Sequence, residues 1–114
     1  FYETQVGTVT SEIVINFLDK YCQNIQKKTV IIIDQASIHT SDAFIEKLEE
    51  WEKKNLKIFW LPTYSPHLNL IEILWRFLKY EWIEFSAYKD RKSLLAYVKK
   101  VLDNFGGEYV INFA

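Results

Sequence analysis

An α/β fold, with a parallel βαβ core flanked by helices, is predicted by three observations. The β-branched run Val30-Ile31-Ile32-Ile33 ends at Asp34, and a second apolar stretch runs from Leu56 to Leu61. Between them Phe44, Ile45, Leu48 and Trp51 recur at helical spacing. Strand, helix and strand in that order, with room for a crossover, give parallel strands joined right-handedly.

The elements follow in chain order. Phe1-Tyr2-Glu3-Thr4 is short and compatible with the tail of a strand. Thr10 or Ser11 can cap a helix with Glu12 in its first turn, and Val14, Phe17, Leu18 and Tyr21 form its apolar stripe. Val30–Ile33 shows no alternation, which predicts a strand buried on both faces. Thr40 or Ser41 can cap the next helix. Pro62-Thr63-Tyr64-Ser65-Pro66 breaks the second strand, and Asn69 is positioned to cap an apolar helix from about Leu70 to Trp82. Asp90 caps a last helix whose face holds Leu94, Val98, Val101 and Phe105, with Leu95 and Leu102 beside it, and Gly106-Gly107 ends it. The tail Tyr109–Ala114 fits either a strand or an ordered end. A two-stranded sheet is marginal in water, so further strands are expected N-terminal to Phe1. The absence of Met and the start at Phe1 likewise lead us to expect a fragment of a longer chain.

Bulk properties narrow the class. The 114 residues suffice for one small domain, and 49% hydrophobic and 17% aromatic content supplies a bulky core. No apolar run reaches the roughly 20 residues of a membrane span, and no signal-peptide pattern is present. The lone Cys22 excludes an internal disulfide framework and fits a cytoplasmic setting. A net charge of −1 and a pI of about 6.1 argue against a free-standing nucleic-acid binder, though not against a catalytic core gripped to DNA by other domains. Cys22, His39 and His67 lack zinc-ligand spacing, and no Gly-rich phosphate loop or nucleophile elbow occurs.

Two carboxylates stand in unusual places. Asp34 ends an apolar strand, at the edge where ligand crevices of open α/β sheets lie; opening a turn is its alternative role. Glu72 is embedded among Leu68, Leu70, Ile71, Ile73, Leu74 and Trp75. A charge there must reach solvent, a cation or a proton, and the alternative is a surface pair with Arg76 or Lys79 on the same helical face. The chain leaves the second strand at the end where Asp34 sits and then enters the Glu72 helix, so the two carboxylates are expected to meet at one crevice. Oxygen ligands alone favour magnesium or manganese.

The residues around both acids resemble a known family. Ile33-Asp34-Gln35-Ala36-Ser37-Ile38-His39 is similar to the second-aspartate motif of DDE-type transposases in the mariner-related bacterial insertion-sequence superfamily. Leu61-Pro62-Thr63-Tyr64-Ser65-Pro66-His67-Leu68-Asn69-Leu70-Ile71-Glu72-Ile73-Leu74-Trp75 resembles the longer motif that holds their final acidic residue. The resemblance runs over essentially the whole chain, and the 37 residues between Asp34 and Glu72 suit it. Departures occur at Gln35, where the family often has Asn; at His67, often acidic; and at Leu70, often Pro. None removes a metal ligand.

The resemblance implies a partial ribonuclease H-like, retroviral-integrase-like fold whose N-terminal strands, with the first catalytic Asp, precede Phe1. It implies Asp34 and Glu72 as catalytic metal ligands and two divalent cations, magnesium or manganese, in the complete enzyme. Such ions clamp the attacking and leaving oxygens of an in-line phosphoryl transfer, which cleaves transposon ends and joins them to target DNA. Asn69 is an accessory candidate that would orient Glu72 or contact DNA, with helix capping as the alternative. His39 is a second accessory candidate near the phosphate, but packing in the loop is the expected role. Trp75 is expected in the core rather than stacked on a base. Lys27-Lys28, Lys53-Lys54 and Lys99-Lys100 are expected on solvated faces. Two further readings stay open: a noncatalytic remnant that pairs with another copy through an exposed strand edge, and a divergent nuclease.

Overall fold

A computed structural model of the chain describes residues 1–63 and 65–109. They fall into two compact units, Phe1–Asn69 and Leu70–Ala114.

The first unit opens without a strand; Phe1 instead stacks its ring 5.1 Å from Phe17 and 5.6 Å from Tyr21. Helix α1, Ser11–Cys22, is capped by Thr10, whose hydroxyl accepts from the Ile13 N–H at 3.4 Å. The β-branched run forms β1, Thr29–Ile33, and the later stretch forms β2, Leu56–Trp60. They pair in parallel, with Thr29 opposite Leu56 and Ile33 opposite Trp60. The crossover is two short helices rather than one. Ser41 caps α2, Asp42–Glu46, by accepting from the Phe44 N–H, and the chain then breaks at Lys47 before α3, Leu48–Lys53. Asn55 takes the left-handed conformation (φ 71°) that turns α3 into β2, a conformation the short Asn amide tolerates.

The core of this unit lies between β1–β2 and the helices. Phe44 and Trp51 are 0% exposed, joined by Leu18, Cys22, Leu56 and Ile58. Their rings meet edge-on at 5.1 Å, an arrangement that adds about 0.5–1.5 kcal/mol to the gain from burial. The buried Trp51 indole needs an acceptor and donates to Asp19 Oδ1 at 2.8 Å; Lys47, at the helix break, reaches the same oxygen at 3.0 Å. Cys22 is free and buried, and burial raises its thiol pKa.

Three expectations are corrected here. The strand is not buried on both faces: Ile31 and Ile33 pack inward, while Val30 and Ile32 are each 58% exposed beside Phe59 at 55%. A β-branched run reports strand propensity, but which face is covered depends on the other elements, and here one helical layer covers one face. Ile45 is exposed, because the break at Lys47 leaves Phe44 and Trp51 as the inward anchors. The opening residues form no strand.

In the second unit α4, Ile71–Phe77, continues into one π-helical turn, Leu78–Trp82, closed by the Ile83 N–H on the Leu78 carbonyl at 3.2 Å. A 3-10 helix, Phe85–Lys89, leads to α5, Arg91–Asp103, where Asp90 accepts from the Ser93 N–H at 2.7 Å as expected. Ile83, Ala87 and Val101 form the buried centre, with Leu94, Val98 and Trp82 against it. Leu95 and Phe105 are exposed, although Phe105 still meets the Trp82 ring at 5.9 Å. Gly106 (φ 93°) lies in the turn beyond α5. Of the tail, Tyr109 makes a single bridge to Phe105, and residues 110–114 lie outside the described ones. No helix among the described residues is long and apolar enough to cross a membrane.

Truncating Trp51 to Ala is expected to destabilise the chain by about 3–5 kcal/mol in urea denaturation, whereas Ile45→Ala should change stability by about 0.5 kcal/mol or less. Equal effects would show that the crossover does not pack as described.

Candidate metal-binding carboxylates

Asp34 follows the last residue of β1, where the strand ladder runs out and backbone groups need new partners. The Leu61 N–H extends the ladder to the Ile33 carbonyl at 2.8 Å. Gln35 then crosses between the strand ends. Its Nε2 donates to the Leu61 carbonyl at 2.8 Å, and its Oε1 accepts from the Thr63 hydroxyl at 3.3 Å. From β2 the Trp60 indole donates to the His39 carbonyl at 3.0 Å, and from α1 the Ser11 hydroxyl donates to the Ile38 carbonyl at 3.2 Å. The loop after β1 is thus tied to β2 and α1 by side chains that each have one clear backbone target.

Within that loop Asp34 and His39 are brought together. Asp34 Oδ1 accepts from the Ala36 N–H at 3.0 Å and lies 2.8 Å from His39 Nδ1. A carboxylate oxygen only accepts, so His39 carries its proton on Nδ1. The His39 ring also packs 6.0 Å from Phe44, so packing, its expected role, and contact with Asp34 go together. The Ala36 N–H, followed by the His39 hydrogen bond and charge, holds the Asp34 pKa below its ordinary value. Asp34 is therefore both a turn-opening residue and an ionised one. Its side chain is 54% exposed, and among the described residues Oδ2 has no hydrogen-bond partner.

Glu72 stands in the first turn of α4 in the second unit, exposed, on the face it shares with Ile71, Trp75, Arg76 and Lys79. It makes no ion pair with Arg76 or Lys79 among the described residues, so the surface-pair alternative is not realised. Trp75 is 50% exposed, which corrects its assignment to the core; the buried centre of this unit is filled from Ile83, Ala87 and Val101 instead. Asn69 is half-buried and does not cap α4, because the cap position is Leu70 and no side chain closes the first turn.

Among the described residues no group of three or more His, Cys, Asp and Glu gathers around a point. Magnesium does not require one, since it is commonly held by one or two carboxylates with water and substrate phosphate completing the shell. Asp34, with one oxygen anchored and one unpartnered, fits such a ligand, and hydrogen bonds that orient a ligating carboxylate are a usual feature of metal sites. Gln35, Trp60 and Thr63 were not singled out as site residues from sequence. The signal was present for Gln35 and Trp60, a long amide and an indole at the ends of adjacent strands.

Residues 1–95, which include both Asp34 and Glu72, match the family described as DDE superfamily endonuclease. The uncharacterized protein y4pE/y4sA of Sinorhizobium fredii (strain NBRC 101917 / NGR234) is 31% identical over 68 residues. That alignment covers 60% of this chain and 46% of the relative, so the chain spans about half the length of the curated relative it matches. No solved structure matches the chain.

A carboxyl whose folded-state pKa is depressed adds stability above the ordinary Asp range and loses it as pH falls through the depressed value. For the exposed Asp34 the gain is small. His39→Ala should move the Asp34 titration upward, though not fully to its ordinary value because the Ala36 N–H remains. Carbon-detected NMR of the carboxyl reads the shift, and an unmoved titration would remove His39 from the site.

Proposed function

The chain belongs to the DDE superfamily endonucleases, and from that premise we propose that it is the part of a transposase catalytic domain that carries two of its metal-binding carboxylates, Asp34 and Glu72. The complete enzyme, on this reading, has a ribonuclease H-like sheet, binds two divalent cations, magnesium or manganese, and cleaves and joins DNA in the cytoplasm. The observation that carries the reading is Asp34 itself: an ionised carboxylate at the end of a parallel strand, anchored through one oxygen and unpartnered at the other. Glu72, inside the matched stretch and in no ion pair among the described residues, supports it.

The chemistry assigns distinct tasks. Bound cations would activate water or a 3′-hydroxyl and stabilise the departing oxygen. Asp34 and Glu72 would hold them, supplying charge and hard oxygens without reacting themselves. His39 keeps Asp34 ionised and fixes its orientation, and Gln35, Thr63 and Trp60 keep the loop from drifting. Asn69, freed from helix capping, is available to orient Glu72 or meet DNA. With two carboxylates rather than three, the chain alone does not nick DNA.

A second reading is favoured by a specific observation. Val30, Ile32 and Phe59 form an open apolar sheet face, and among the described residues each strand of the two-stranded sheet has a free edge. Free edges invite pairing with another chain, which supports a noncatalytic module that self-associates as a homodimer. A monomer by light scattering at high concentration would remove this second reading.

Manganese binding, followed by electron paramagnetic resonance, tests the first. Asp34→Ala and Glu72→Ala should each abolish or greatly weaken binding, and His39→Ala should weaken it by about tenfold. Wild-type affinity in either carboxylate variant contradicts the assignment. Metal-dependent nicking by this chain alone, lost in Asp34→Ala, would overturn the claim that it is inactive by itself.

A further inference from the structure

The second unit contains a surface cleft of ≈ 440 Å³ between the 3-10 helix Phe85–Lys89 and one face of α5. Ser86 and Lys89 line one wall. Ser93, Tyr97 and Lys100 line the other, at the i, i+4, i+7 spacing of a single helical stripe, and two alanines leave the space between. The cleft is open and lined by more apolar than polar surface, with two ammonium groups, one carboxylate and two aliphatic hydroxyls along its sides.

Cations are dense in the sequence that lines it. From Lys89 to Lys100 the sequence has five cations and one acid, Asp90, and that acid is occupied as the α5 cap. Lys89, Arg91, Lys92 and Lys100 form no ion pair among the described residues; in this stretch Lys99 is matched, to Asp103 at 2.9 Å. In the first unit Lys20, Lys47, Lys53 and Lys54 each sit within 4.0 Å of a carboxylate, while Lys27, Lys28 and Lys57 form no ion pair among the described residues. The Lys100 ammonium is steadied 5.2 Å over the Tyr97 ring. Glu84 is the one acid lining the cleft, and it lies near the Tyr97 hydroxyl.

We propose that this cleft holds the sugar–phosphate backbone of duplex DNA, with Lys89 and Lys100 neutralising phosphates and Ser86 and Ser93 donating to their oxygens. The ligand is a polyanion rather than a small anion, because the cleft is unenclosed and Arg91 and Lys92 extend the positive surface beyond it. Backbone contacts of this kind carry no sequence information and fix register. The inference rests on the reading of this chain as DNA-acting, but it concerns residues apart from the metal ligands.

Fluorescence anisotropy of a labelled mixed-sequence duplex, in EDTA and over a range of salt, tests it with the full chain. The double substitution Lys89→Ala/Lys100→Ala should weaken binding about tenfold at low salt and lower the salt slope by about two. Lys53→Ala/Lys54→Ala should change neither, and Glu84→Gln should tighten binding. Circular dichroism confirms that the variants fold; all four lysines are exposed. An unchanged affinity and slope in the Lys89/Lys100 variant, or no binding by the wild-type chain, overturns the proposal. So does inorganic phosphate that competes, at matched ionic strength, as well as unlabelled duplex. Manganese binding that depends on Asp34 while DNA affinity ignores Lys89 and Lys100 would retain the metal site and discard the cleft.

Discussion

The in-register parallel pairing of Thr29–Ile33 with Leu56–Trp60 is the constraint on which the first unit depends. Parallel strands cannot be joined by a tight turn, so a crossover is required, and α2 and α3 supply it together with Phe44 and Trp51 for the core. The same pairing sets the two carboxyl ends of the strands side by side. Only there can Gln35 reach Leu61 and Thr63, and Trp60 reach His39. A slip of one residue in β1 would turn Ile31 and Ile33 outward, and one in β2 would turn Leu56 and Ile58 outward; either undoes both core and loop.

The position of Asp34 follows from that arrangement. Where a ladder ends, backbone donors remain, and a carboxylate can take one without leaving water. The Ala36 N–H and His39 both converge on Oδ1, which keeps the group ionised and leaves Oδ2 unpartnered among the described residues. Among the described residues the positive-φ non-Gly residue, Asn55, lies at the other end of the strands. The ionised state comes from hydrogen bonding at the surface rather than from a buried charge.

Some of this was legible in the chain. Thr10, Ser41 and Asp90 are caps because short polar side chains bond the first free N–H groups of a helix, a purely local effect. Asn69 looked equally suited, yet Leu70 takes the cap position, so residue type alone did not decide it. Trp75 looked like core because apolar neighbours surround it in sequence; it is half-exposed because other residues fill the centre of its unit. Glu72 has the lysine and arginine neighbours that permit a pair and forms none with them among the described residues, since spacing permits contact without requiring it.

By itself the sequence determined the two strands and their parallel order, the helices α1 and α5, the caps at Thr10, Ser41 and Asp90, and the family to which the motifs around Asp34 and Glu72 point. These depend on neighbours a few residues away. The tertiary structure decided that one sheet face is open, that the crossover helix breaks at Lys47, that His39 and the Ala36 N–H share one oxygen of Asp34, and that the cations around the start of α5 form no ion pair among the described residues. Each of these depends on which groups from distant parts of the chain arrive at the same place, and no local pattern of residues specifies that.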